Sequence, residues 1–107
     1  MSEPASDSPV IVINVFTVAP EKLDALMPML DRLATALARA PGFRSCRMHR
    51  GLDGKSAVNY AVWDDQDAWR AATRLPVVAD AMAPIMAVAT FQPRAYAAGA
   101  KVQAETD

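Results

Sequence analysis

Two side chains in this 107-residue chain are of types that commonly begin chemistry unaided, His49 and Cys46, and each is the only one of its kind. A metal centre needs three or four His, Cys, Asp or Glu ligands at coherent spacing. One His and one Cys, three residues apart in a strand and so on opposite faces, do not supply it. A nucleophilic triad fails similarly, because no Ser or Cys elbow accompanies the single imidazole. Gly42, Gly51, Gly54 and Gly99 form no phosphate-cradling loop between a strand and a helix. No metal and no bound cofactor is therefore expected. Arg39, Arg44, Arg47, Arg50 and Lys55 lack interleaved aromatics and read as a solvated face; with a net charge of −1, neither nucleic acid nor an anionic membrane is expected as a partner. The polar groups left within apolar strands are neutral ones: Asn14, Asn59 and the indole of Trp63.

These residues need elements to hold them. VIVINVFTV, Val10 to Val18, is β-branched and aromatic and predicts a buried strand, with Asn14 sharing a face with Val12 and Phe16. Ala19-Pro20-Glu21 opens a helix whose apolar stripe is Leu23, Leu26, Met27, Leu30, Leu33 and Leu37; Pro28 should bend it, and Pro41-Gly42 ends it. Phe43 to Arg50 and Ala57 to Trp63 predict two antiparallel strands joined by a turn-rich link, with Asn59, Ala61 and Trp63 on one face. Asp64 or Asp65 caps a helix reaching Arg74. Pro76 starts a short helix over Val77, Val78, Ala81 and Met82 that Pro84 limits, and a last strand from Ala87 to Gln92 meets Pro93 at a sheet edge or bulge.

The order βαββαβ predicts an α+β, ferredoxin-like fold: a four-stranded antiparallel sheet with helices on one face. Residues 10–98 make one domain, with a frayed tail at 1–9 and a loose one at 99–107. Alternation leaves either parity free to meet the helices. The faces with larger aliphatic groups suit helix packing better, which leaves the face with Asn14, Asn59 and Trp63 as a candidate concave surface. A single cysteine permits no intrachain disulfide, the first nine residues do not read as a secretory signal, and no apolar run approaches the roughly 18 residues of a membrane span. The expected location is cytoplasmic. A domain this small is short of core for a sizeable ligand pocket unless it pairs, so a homodimer is expected.

The segments INVFTVAPEK, APGFRSCRMHRGLDG, AVNYAVWDDQDAWRAA and FQPRAY, together spanning Ile13 to Tyr96, resemble the antibiotic biosynthesis monooxygenase family of dimeric α+β barrels. The resemblance implies that two ferredoxin-like subunits pack sheet to sheet and that each pocket lies between a subunit's sheet and its helices. Within the family the match is nearest to the cofactor-independent anthrone oxygenases of aromatic polyketide pathways. Their strand Asn residues and the Trp four residues after the second match Asn14, Asn59 and Trp63, and His49 matches a His near the pocket in some members. Trp69 stands where one such enzyme type has Tyr. Met82 stands about where the haem-degrading relatives have a His, which speaks against haem degradation.

The resemblance thus implies oxidation of an anthrone- or quinol-like aromatic polyketide by O2, with Asn59, Asn14, Trp63 and His49 as catalytic residues and Trp69, Phe16 and Met82 as substrate contacts. An anthrone can lose a proton and pass an electron to oxygen itself, leaving the protein to orient it, exclude water and stabilise an oxyanion. Asn59 and Trp63 lie roughly 13 Å apart along a strand, suited to opposite ends of a flat ligand. The alternatives are a non-oxidative polyketide cyclase or isomerase, and a non-catalytic small-molecule-binding dimer.

Overall fold

The computed structural model describes residues 9–105; residues 1–8, most of the expected N-terminal tail, and residues 106–107 lie outside the described residues. The elements run β1 (Val10–Val18), a 3-10 turn (Pro20–Lys22), α1 (Leu23–Leu37), β2 (Phe43–Arg50), β3 (Ser56–Trp63), α2 (Gln66–Ala72), α3 (Pro76–Met86) and β4 (Ala89–Ala97). The sheet order is β2-β3-β1-β4 and every neighbouring pair is antiparallel, the ferredoxin-like arrangement. Residues 98–105 carry no regular secondary structure.

The helical stripe forms as its spacing demands. Leu23, Leu26, Leu30, Leu33 and Leu37 are buried against the sheet, with Phe16 and Ile85 fully buried beside them. Pro28 does not break α1 because it lies on the exposed side, where water can take the helical carbonyl that Pro leaves without a donor. Pro84 likewise lies inside α3 rather than limiting it: fully buried Ile85 anchors the turn that follows. The last strand starts two residues later than expected and continues through Pro93 to Ala97. Pro93 is tolerated because β4 is an edge strand paired only to β1.

One expectation is reversed. The face bearing Asn14, Asn59 and Trp63 is the one the helices cover: Val12, Phe16, Val18, Ala57, Ala61 and Trp63, all on it, are buried. The uncovered face carries Ile11, Ile13, Val15, Val58, Tyr60 and Val62. Both faces are apolar, so side-chain size could not separate them. What distinguishes the covered face is its small residues, Ala57 and Ala61, which make room for helices.

The position of α2 depends on one close approach. Gly42 has φ +84°, and a Cβ there would meet the Ala68 Cβ at 2.5 Å. Its carbonyl accepts from the Asp64 N–H at 2.8 Å, which joins the end of α1 to the start of α2. Asp65 caps α2, its side chain accepting from the Ala68 N–H at 2.8 Å. The exposed Arg44–Asp64 ion pair at 2.7 Å spans the same junction, but such a surface pair contributes only about 0–1 kcal/mol. Gly42→Ala combines a left-handed backbone with backbone-side overpacking, so equilibrium urea denaturation should show a loss of about 2–4 kcal/mol, against less than about 1 kcal/mol for Arg44→Ala.

Candidate active site

Between the sheet and the helices lies a cavity of about 320 Å³, within the size range of small-molecule sites. Its floor is the sheet: Val12 and Asn14 of β1, Asn59 and Trp63 of β3, Phe91 and Pro93 of β4. The opposite wall is helical, with Leu33 and Leu37 of α1, Trp69 of α2, Thr73 just after it, and Val78 and Met82 of α3. The exposed residues Thr73, Met86, Phe91 and Pro93 mark its mouth.

Register brings the polar groups together. Asn14 and Asn59 are directly paired across β1 and β3, so their side chains leave the sheet side by side on the same face. Pro93 is the partner of Asn14 on the other side and adds no donor. Trp63, four residues along β3, is 1% exposed, and the Phe43 ring meets it edge-on with centroids 5.3 Å apart. The neighbouring strand therefore fixes the indole plane. Asn14 Oδ1, Asn59 Oδ1 and Trp63 Nε1 are buried and have no hydrogen-bond partner among the described residues. A buried polar group left unmatched costs about 1–3 kcal/mol. Three around one cavity mark positions where a ligand's oxygens and hydroxyls belong.

Among the other expected site residues, Trp69 and Met82 line the cavity. Phe16 does not: it is fully buried and packs against Phe91, ring centroids 6.0 Å apart, so Phe91 is the ring that meets the cavity. His49 is paired with Val58 in the β2–β3 register and is exposed on the sheet's other face, away from the cavity. A proton-transfer role for it in this cavity has no geometric basis. Cys46 is half-buried on the covered side, and burial pushes its thiol pKa up, so it is not a ready thiolate. Among the described residues, none that lines the cavity is ionisable, and no group of three or more His, Cys, Asp or Glu could hold a metal.

The sequence reading missed Thr73, Phe91 and Pro93. Thr73 follows Trp69 by four residues, one helical turn, and that spacing pointed to it. Pro93 was obscured by ending the last strand at Gln92; Phe91 lay inside that strand, but its facing was not read.

Residues 9–84 match the family described as antibiotic biosynthesis monooxygenase. Over 61 residues the chain is 43% identical to the tetracenomycin-F1 monooxygenase of Streptomyces glaucescens, covering 56% of this chain and 54% of that protein; the match spans about half the relative's length. The crystal structure of SnoaB, a cofactor-independent oxygenase from Streptomyces nogalater, superposes with a TM-score of 0.76 at 32% identity, covering 89% of this chain and 97% of that one. A conserved protein of Methanosarcina mazei superposes with a TM-score of 0.76 at 15% identity, covering 86% and 94%, a likeness of fold alone.

If the amide oxygens are unmatched in the free protein, an apolar residue of similar size should be tolerated. Asn59→Leu should be neutral or stabilising by up to about 2 kcal/mol in urea denaturation, while abolishing binding of aromatic ligands; a destabilisation above about 1 kcal/mol would show that Asn59 is satisfied internally.

Proposed function

Because the chain belongs to the antibiotic biosynthesis monooxygenase family, we propose that it is a cofactor-independent monooxygenase that oxidises an anthrone- or quinol-like aromatic polyketide with O2. The observation that carries this reading is the set of three unpartnered polar atoms around an apolar cavity that, among the described residues, is lined by no ionisable group. Such a cavity can bind, orient and desolvate a flat oxygenated ring system and stabilise negative charge on it, but it has no acid or base of its own to offer. The description of SnoaB as a cofactor-independent oxygenase supports the same reading.

The chemistry then belongs to the substrate. An activated ring CH2 loses a proton to bulk water at or before entry to the cavity, giving a delocalised anion whose charge rests largely on oxygen. The Trp63 N–H donates to that oxygen, and the Asn14 and Asn59 amides, by rotating their heads, present either an acceptor to a phenol O–H or a donor to the oxyanion. The anion passes one electron to O2, the resulting radical and superoxide combine to form the C–O bond, and the peroxide takes up a proton. Loss of water breaks the O–O bond and leaves a ketone, so CH2 and O2 become C=O and H2O. Water excluded by Leu33, Leu37, Val78 and Met82 cannot quench the charge before oxygen does.

We also infer a homodimer formed through the uncovered sheet face. Val15 is 40% exposed, Tyr60 41% and Tyr96 46%, alongside Ile11, Ile13 and Val62 on that face, neighbouring apolar groups of the kind that mark a protein–protein interface. Tyr60→Asp should convert a dimer to a monomer by sedimentation velocity while leaving the far-UV CD spectrum unchanged; a wild-type chain sedimenting as a monomer refutes the dimer.

Oxygen uptake with anthrones and quinols, in chelator and without added flavin, tests the activity. One O2 should be consumed per ketone formed, and Asn59→Ala should lower kcat about 10²-fold. No uptake above the uncatalysed rate across such a panel removes the oxygenase reading in favour of a cyclase, isomerase or binding dimer. The pH dependence is equally specific: kcat/KM should rise up to the substrate's own pKa and shift with it through a substituted series. A midpoint that stays fixed across substrates would reveal an ionising group on the protein.

A further inference from the structure

Among the described residues lining the cavity, Thr73 is the only one with a hydroxyl. It stands at the C-terminal end of α2, one turn beyond Trp69, where the helical wall opens to the mouth. Its Oγ1 donates to the Arg70 carbonyl oxygen at 2.7 Å, within the strong range for an O–H donor. With its one proton committed to the backbone, the hydroxyl can meet a ligand only through its lone pairs. The rest of this wall cannot substitute for it: the Trp69 indole is a donor only, and Val78, Ala79, Met82 and Met86 are apolar. Among the described residues of the helical wall, Thr73 is thus the one whose side chain carries a strong acceptor, and its bond to Arg70 restrains that side chain.

We propose that Thr73 is a specificity-determining residue that accepts a hydrogen bond from a hydroxyl on the outer ring of the substrate, so that a free phenol is selected over its ether or a carbonyl at that ring. This rests on the aromatic-substrate reading of the cavity. A ligand carbonyl or methoxy oxygen facing Thr73 would meet lone pairs, or would have to break the Arg70 bond to gain a donor. A phenol O–H completes the arrangement with no rearrangement. Thr73 also serves the end of α2, and that role alone would affect both ligand types equally. The difference between ligands therefore isolates the proposed contact.

Both tryptophans of the chain, Trp63 and Trp69, line the cavity, so quenching of intrinsic fluorescence reads binding without turnover. The probes are 2-hydroxyanthraquinone and 2-methoxyanthraquinone, unreactive toward oxygen and used under mildly acidic conditions that keep the phenol protonated. Wild-type protein should favour the hydroxy compound about three- to tenfold, the range of one net hydrogen bond. Thr73→Val, which keeps the branched shape, should erase that preference by weakening the hydroxy compound, and Thr73→Ser should restore it. A wild-type protein without the preference, or a Thr73→Val protein that retains it, overturns the assignment. Quenching by neither compound overturns the aromatic-site reading along with it.

Discussion

Asn14 Oδ1, Asn59 Oδ1 and Trp63 Nε1 are taken out of water and given no partner among the described residues. A folded domain of this size is held by only about 5–15 kcal/mol, so three such atoms, each costing about 1–3 kcal/mol, are a large expense to carry. They persist because the surrounding structure leaves them no alternative. The β1–β3 register places the two amides side by side, Pro93 denies Asn14 a donor from β4, and the Phe43 ring edge holds the Trp63 indole in place. The strand positions of all three groups and the Trp63 donor are preorganised before any ligand arrives, which is the condition under which a neutral dipole stabilises charge effectively.

The second requirement is a helical lid at a fixed height above those dipoles. Buried leucines of α1 and Ile85 of α3 set the distance through packing, while α2 is held chiefly by the approach of Ala68 to Gly42 and by the Asp65 cap. This short helix contributes both Trp69 and, just beyond its end, Thr73. A glycine far from the ligand therefore governs the wall that reads it. Small Ala57 and Ala61 on the same sheet face are buried and let the helices approach it.

Much of this was legible in the sequence, for identifiable reasons. β-Branched runs, the leucine stripe and the βαββαβ order determine the fold, and polar Asn14 and Asn59 within apolar strands stand out as residues needing a reason. Which sheet face the helices cover was not legible, because both faces of β1 and β3 are apolar and the deciding feature was the smallness of two alanines. His49 was drawn toward the site by resemblance, whereas strand alternation sends it to the other face. Phe16 shared the correct face but sits beside Phe91, its partner across β1 and β4, and it is Phe91 that meets the cavity, which one strand's pattern cannot reveal. The length of β4 was hidden by Pro93, which reads as a stop although an edge strand accommodates it.

The reading as a whole depends on whether the unpartnered atoms meet the ligand. The most direct measurement is the indole N–H resonance of Trp63 in ¹⁵N-labelled protein, assigned by substituting Trp69 with Phe, before and after saturation with 1,8-dihydroxyanthraquinone. A downfield shift of that proton with slowed exchange against solvent is the expected result, since the N–H would pass from having no acceptor to donating to a ligand oxygen. Saturation that leaves the Trp63 N–H shift and exchange unchanged would contradict the account.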